Sequence, residues 1–272
     1  MPELPEVETT RRGIDPHVVG RTIRKAIVRD TRLRWPVAAD FARRVERKKI
    51  IGTARRGKYL LILLAGGDRI IVHLGMTGRL SVRDLGHPLR KHDHIDLELS
   101  GGLLLRFGDP RRFGAVLLWP ADEPTHKLLA GMGPEPFSDE FTGAHLYALS
   151  RGRSAAVKNF IMDGRVVVGA GNIYASEALY RARIRPARAA GKVTRAQYDL
   201  LAQKIRDVLG DAIKAGGTTL RDYSGAHGEP GMFKQKLYVY DRDGQPCLKC
   251  KTPIRRLVIG QRSSFYCPAC QK

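Results

Sequence analysis

The sequence predicts an α+β protein: a β-sandwich or barrel in the N-terminal half, helices in the C-terminal half, and a small metal-stapled hairpin at the end. Three observations carry this expectation. Up to about residue 130 the chain consists of short apolar alternating runs broken by glycine. Near GMGPEPFSDEF, residues 131 to 141, glycine and proline cluster and the apolar period lengthens from two toward 3.6. All four cysteines then fall after residue 246, as Cys247-x2-Cys250 and Cys267-x2-Cys270. These breaks divide the chain into 1–132, 133–235 and 236–272.

Taken in order, Pro5 to Gly13 is polar, suits a first helical turn and ends at a glycine, so a helix opens the chain. Strands are expected in GRTIRKAIV, KYLLILLAGG, RIIVHLGMTGRLSV, HIDLELSGG, GLLLRFGD and GAVLLWP. The strongly basic RRVERKKIIGTARRGK reads as a solvated helix face or as a contact to a polyanion. Helices are expected at about 142–151, 154–163, 172–183 and 194–215, the last with Thr194 as N-cap and Gly216 as its stop. The segment GTTLRDYSGAHGEPGMFKQ, residues 217 to 235, is too rich in glycine and polar groups to pack as an element and reads as a long functional loop.

Lys plus Arg outnumber Asp plus Glu by 48 to 27, a net charge of +21 spread along the whole 272-residue chain. Such a field draws in polyanions, and nucleic acid is the leading partner. There is no run of 18 apolar residues, and MPELPEVETT carries acids where a signal peptide carries cations, so no membrane partner and a bacterial cytoplasmic location are expected.

The two C-x2-C knuckles, separated by residues 251 to 266, suit four thiolates placed tetrahedrally around one structural Zn²⁺. A redox pair would need a thioredoxin-like βαβ context, which is missing from the pattern. So short a ribbon cannot bury a core, and the metal supplies much of its folding free energy. Between the knuckles IRRLVIGQRSSFY is a hairpin from which Arg255, Arg256 and Arg262 project. The GAGN at 169 to 172 follows VVV and opens a helix, but the third glycine of a dinucleotide fingerprint would fall at Tyr174, so that reading fails. Asn172 is left either to cap the helix or to donate to a phosphate at its N-terminus.

MPELPEVE, the RGKYLL around Lys58, HLGMTGRL, DPRRFG at 109 to 114, GNIYASEAL, GGTTLRDY and the final GQRSSFYCPAC-Q resemble the formamidopyrimidine-DNA glycosylases, bacterial enzymes that excise 8-oxoguanine and cleave abasic sites. The match runs in order from residue 2 to 271 and departs at Gly164, where the pattern has a polar residue. Pro2-Glu3-Leu4, Met76 and Arg112-Phe113 separate it from a sister class that prefers oxidised pyrimidines.

The resemblance implies a catalytic N-terminal β-sandwich, a helix-two-turn-helix domain with a lesion-recognition loop and a C-terminal zinc finger, with DNA in a basic cleft. It implies a nucleoid-associated monomer acting on duplex DNA that contains oxidised purines or abasic sites. It also implies that Met1 is removed, freeing the Pro2 secondary amine as nucleophile. A neutral amine can attack the anomeric carbon, expel the base and become an iminium, an electron sink that permits β- and δ-elimination. In this scheme Glu3 is the general acid/base, Glu6 supports it and Lys58 assists catalysis or binds phosphate. The target base must be flipped out and its space filled. The resemblance assigns this to Met76 and Phe113 and gives the estranged cytosine to Arg111 or Arg112, with Arg111 favoured. Asn172 and Arg262 hold phosphates, His92 and Lys158 are further DNA contacts, and Thr218, Thr219 and Tyr223 cover the flipped base. The zinc ligands are Cys247, Cys250, Cys267 and Cys270.

Overall fold

The structure, a computed structural model, describes residues 2–217 and 237–272. It divides into two compact units, Met1–Ala130 with Ala215–Met232, and Gly131–Lys214 with Phe233–Lys272.

The first unit opens on α1, Leu4–Val18, whose first turn holds Pro5 and whose N-terminus is closed by Glu6, its carboxylate accepting from the Glu3 backbone N–H at 2.8 Å. The expected stop at Gly13 does not hold. Val7, Ile14 and Val18 continue one buried stripe through it, and this burial outweighs the roughly 1 kcal/mol that an interior glycine costs.

Among the described residues of this unit, eight strands then form two antiparallel four-stranded sheets. The first contains β1 Ile23–Val28, β5 Arg79–Asp84, β6 Asp93–Leu99 and β7 Leu103–Gly108 in the order β1-β6-β7-β5. The second contains β2 Ile50–Arg56, β3 Tyr59–Leu64, β4 Arg69–His73 and β8 Ala115–Trp119 in the order β2-β3-β4-β8. One apolar core joins Ile23, Leu97 and Leu105 of the first sheet to Leu60, Val72 and Val116 of the second and to α1, so the architecture is a sandwich and not a barrel.

The helix-face reading of the basic stretch 43–58 does not hold. Its first three residues belong to the short helix α2, Phe41–Val45, and residues 50–56 form β2.

The second unit is helical: α3 Gly143–Ser150, α4 Val157–Met162, α5 Asn172–Arg181 and α6 Arg195–Lys214. Thr142 caps α3 through its hydroxyl. Thr194 and Gln197 exchange side-chain and backbone hydrogen bonds at the start of α6, which buries Tyr198, Leu201, Ile205, Val208 and Leu209 along one face. The hairpin β9 Arg255–Ile259 and β10 Arg262–Tyr266 follows. Around it only Tyr180, Val239, Ile254 and Phe265 gather with Cys247 and Cys267 among the described buried residues, too small a cluster to hold a ribbon by itself. Among the described residues, no helix is long and apolar enough to cross a membrane.

Candidate active site

In the first unit the fold buries Pro2 and leaves Glu3 and Glu6 each 2% exposed at the start of α1. Gly217 lies against Glu6: a Cβ built there would meet Glu6 Oε1 at 3.2 Å. The chain therefore enters the segment 218–236 beside the Glu6 carboxylate. Thr218, Thr219 and Tyr223 lie in that segment, outside the described residues.

A second line of contacts runs from α1 to Lys58. Burial alone would raise the Glu8 carboxyl, but hydrogen bonds from Arg11 and Arg12 and the nearby Arg55 charge prevail and hold it at about 2. Arg55 reaches Glu8 Oε2 at 3.3 Å and donates to the Gly57 carbonyl at 3.0 Å. Gly57 takes a φ of 55° in the two-residue turn that joins β2 to β3, a backbone that excludes most side chains, and Lys58 follows it. Lys58 thus sits at the tip of a hairpin braced from α1. His73, at the end of β4 and 5.0 Å from the Tyr59 ring, is pushed down to about 4, first by burial and then by the Arg34 and Lys58 charges. It is a neutral imidazole at pH 7.

The loop after β7 builds an exposed aromatic edge around a fully buried carboxylate. Asp109 accepts from the Thr77 hydroxyl and the Arg111 N–H with one oxygen and from the Gly114 N–H with the other, at 2.7 Å. His94 Nε2 donates to its carbonyl at 2.7 Å, and its N–H donates to the carbonyl of half-exposed His92. From the other side comes Gly75, where a Cβ would strike the Phe113 and Gly114 backbone at 2.4 Å. Only glycine permits that approach, and it sets the turn that carries Met76 against the backbone at Phe113.

Phe113 is 45% exposed, with the Arg111 guanidinium 4.7 Å from its ring centroid. Arg112 has a positive φ of 56° and pairs with Asp30 at 2.7 Å. The two arginines therefore have different tasks: Arg111 stays with the exposed edge and Arg112 is tied back to the sandwich.

In the second unit the N-cap of α5 is Gly171, so Asn172 is the first helical residue and does not serve as the cap. Its side chain instead accepts from Lys158 Nζ at 2.6 Å and donates to the Ser263 carbonyl at 3.0 Å. Lys158 is 1% exposed and also donates to Ser264 Oγ at 2.7 Å. It lies behind Asn172, where it ties α4 to the hairpin, whereas Arg255, Arg256 and Arg262 are exposed. At the departure from the family pattern, Asp163 fixes the turn by accepting from the Arg165 backbone and side chain. A Cβ at Gly164 would meet nothing within 4 Å, so the turn has room for a side chain there. A cleft of about 830 Å³ lined by Tyr180, Arg181, Arg183, Lys204 and Tyr238 shares only Cys270 with the expected residues, and its size alone does not make it the site.

The four thiols converge. Cys247, Cys250, Cys267 and Cys270 place their sulfurs within 4.8 Å of one another, with separations of 3.4 Å for Cys250 to Cys267 and 4.0 Å for Cys247 to Cys270. A zinc ion bonded to four sulfurs at about 2.3 Å needs edges of about 3.8 Å, so the set fits a closed structural zinc site.

The family model for the formamidopyrimidine-DNA glycosylase N-terminal domain matches residues 1–116, that for its H2TH domain residues 132–224, and that for the zinc finger found in FPG and IleRS residues 244–272. Curated formamidopyrimidine-DNA glycosylases of Pseudomonas putida and Methylococcus capsulatus are 56% and 55% identical over 100% of both chains. The chain belongs to the formamidopyrimidine-DNA glycosylase family. Among solved structures, the MutM (FPG) protein of Thermus thermophilus is 38% identical, with a TM-score of 0.88, 99% of this chain and 98% of the other covered. The Lactococcus lactis Fpg in complex with abasic site-containing DNA is 31% identical, with a TM-score of 0.92 and 100% of both chains covered.

Asp109, His94, Arg55 and His73 are the residues around this site that the sequence reading did not single out. DPRRFG begins with Asp109, and an aspartate before a proline-containing turn is the one signal available for it.

Proposed function

We propose that this glycosylase-family chain removes oxidised purines, 8-oxoguanine and formamidopyrimidines, from duplex DNA and then cleaves the resulting abasic site. The observation that carries the proposal is the exposed Phe113, with Arg111 over its ring, on a loop that buried Asp109 holds and that the Gly75 turn approaches. The exposed part of the Phe113 ring adds nothing to the core. Such a ring suits insertion between base pairs, where it takes the stacking partner's place as the damaged base swings out. Arg111 then reads the estranged cytosine, while Arg112, paired with Asp30, faces the backbone.

In the chemical step the Pro2 nitrogen lone pair forms a bond to C1′ as the glycosidic bond breaks and the base leaves with its electron pair. The ammonium so formed gives up its N–H proton, which offsets the one the departing base takes up; Glu3 protonates the sugar ring oxygen as the C1′–O4′ bond breaks, and the nitrogen lone pair closes an iminium that joins Pro2 to the sugar. Loss of a C2′ proton expels the 3′ phosphate, and a second elimination expels the 5′ phosphate. Glu6 holds the N-terminal turn through the Glu3 N–H, and Lys58, on its braced hairpin, meets phosphate or assists proton transfer. Asn172, Arg262 and His92 take further phosphates, with Lys158 locking Asn172 from behind. Thr218, Thr219 and Tyr223 cover the flipped base. The zinc supplies structure to the ribbon and takes no part in the reaction. The workplace is the bacterial cytoplasm, at the nucleoid.

Borohydride reduction during turnover tests this reading. A duplex with 8-oxoguanine opposite cytosine is expected to crosslink one to one through Pro2. Pro2→Gly should keep partial crosslinking, since an amine remains, and an N-terminal extension should abolish it by making that nitrogen an amide. DNA binding without any crosslink, or full crosslinking by protein shown by mass spectrometry to retain Met1, overturns the proposal.

A further inference from the structure

Tyr180, in the last turn of α5, is 8% exposed and stacks on Tyr238 with ring centroids 5.4 Å apart and planes at 23°. Its hydroxyl lies 3.3 Å from Cys247 Sγ. Cys247 is fully buried in the small cluster with Val239, Ile254 and Phe265. A cysteine bound to zinc is a thiolate without a proton, so in the zinc-loaded protein the phenol must be the donor. Four thiolates around one dication leave an excess of negative charge. At Cys247 that charge is shut away from water, and the phenol is the side-chain donor that adds to the backbone N–H groups of Lys249 and Cys250 at this sulfur.

The same helix holds the ribbon at two further points. Its first residue, Asn172, donates to the Ser263 carbonyl of β10. Near its middle, the Glu177 carboxylate accepts the backbone N–H groups of Tyr238, Val239 and Tyr240, each at 2.9 Å, on the segment that leads into the first knuckle. α5 is therefore in contact with the metal knuckle at one end and with the hairpin at the other.

We propose that Tyr180 is a positioning residue of the zinc centre, its hydroxyl donating to the Cys247 thiolate so that α5 secures the metal. The inference concerns metal retention alone and stands or falls separately from the Pro2 chemistry. Partners of this kind are worth about 10- to 100-fold in metal affinity.

The test is competition of the zinc-loaded full-length protein with a chromophoric chelator, read as zinc affinity and release rate. Tyr180→Phe keeps the ring stacked on Tyr238 and removes only the donor, and Tyr180→Met, which also fills the cluster without a hydroxyl, is the second variant. Both are expected to hold zinc about tenfold or more weakly, and cobalt(II) in the same site should shift its thiolate charge-transfer band in Tyr180→Phe. Tyr266→Phe is the control, since that hydroxyl meets Arg185 at 3.5 Å and not a cysteine, and it should behave as the parent. Parental zinc affinity with an unshifted cobalt spectrum in Tyr180→Phe overturns the proposal, as does an equal loss in Tyr266→Phe.

Discussion

Phe113 and Asp109 stand on one loop, the first exposed, the second buried and tied to the loop's backbone. Phe113→Ala is expected to keep the melting temperature while lowering excision of 8-oxoguanine from duplex on the order of tenfold, since unstacking a base costs a few kcal/mol. Cleavage of a preformed abasic site should fall less, and equal losses on the two substrates would count against insertion. Asp109→Ala should behave differently. It strands the Thr77 hydroxyl and the buried Gly114 N–H, while the Arg111 N–H keeps Thr77 Oγ1 at 3.2 Å, so the first unit should lose about 2–4 kcal/mol, measured by denaturant unfolding. His73 adds a pH dependence with a definite sign. Its folded value of about 4 lies below the ordinary 6.5, so the unfolded chain binds the proton first, and stability falls as pH drops through that window. His73→Asn should flatten the slope of unfolding free energy between pH 6.5 and about 4, and an unchanged slope would assign the effect to other groups. The DPRRFG and HLGM motifs drew attention to this loop from sequence, but Asp109's role depends on which backbone N–H groups the fold turns toward it. Thr77 and Gly114 reach it only through the pairing of β5 with β7 and the close approach of Gly75, and no local pattern states that.

At the level of elements, most strands were legible as short apolar runs bounded by glycine: β5 alternates between core and water, while β3, β4, β6 and β7 each bury three or four consecutive residues. β2 was not, and the reason is its position. It is the edge strand of the order β2-β3-β4-β8, where charged side chains guard unpaired backbone, and of its residues only Ile50 is buried. With Arg55 and Arg56 turned to partners outside the core, its apolar alternation disappears into a basic run. α1 erred in the other direction, because glycine read as a stop is only a modest cost against a buried stripe. The ribbon was fully legible, since the C-x2-C spacing encodes the ligand geometry directly, whereas the support from Tyr180 and Glu177 depends on tertiary packing of α5. From this follows an element-scale prediction. Chelating zinc, or Cys250→Ser, should unfold the terminal hairpin and abolish DNA binding while the N-terminal sandwich keeps its cooperative melting. Circular dichroism with a fluorescence binding assay reads both, and unchanged DNA affinity in metal-free protein would refute it.

For the whole molecule the net charge of +21 sets how it meets DNA before any lesion is recognised. Each phosphate neutralised releases counterions, so the logarithm of affinity should fall linearly with the logarithm of salt, by about 0.9 per contact. The surface offers two kinds of arginine. Arg262 projects from the hairpin and is assigned to a phosphate. Arg112 is bound to Asp30, and Arg111, lying over Phe113, is assigned to a base edge. A phosphate contact carries no sequence information and a base contact releases few counterions, so the two classes separate in one pair of measurements. Arg262→Ala should weaken binding to every duplex alike and reduce the salt slope by about 1. Arg111→Ala should leave that slope nearly unchanged and instead erode the preference for cytosine opposite the lesion, by about 1–3 kcal/mol between the best and worst partner. The measurement is a salt titration of affinity for duplexes carrying each of the four bases opposite 8-oxoguanine. If Arg111→Ala shifts the slope by a full contact and keeps the cytosine preference, Arg111 belongs to the backbone, and the reader of the opposite base must be Arg112 released from Asp30.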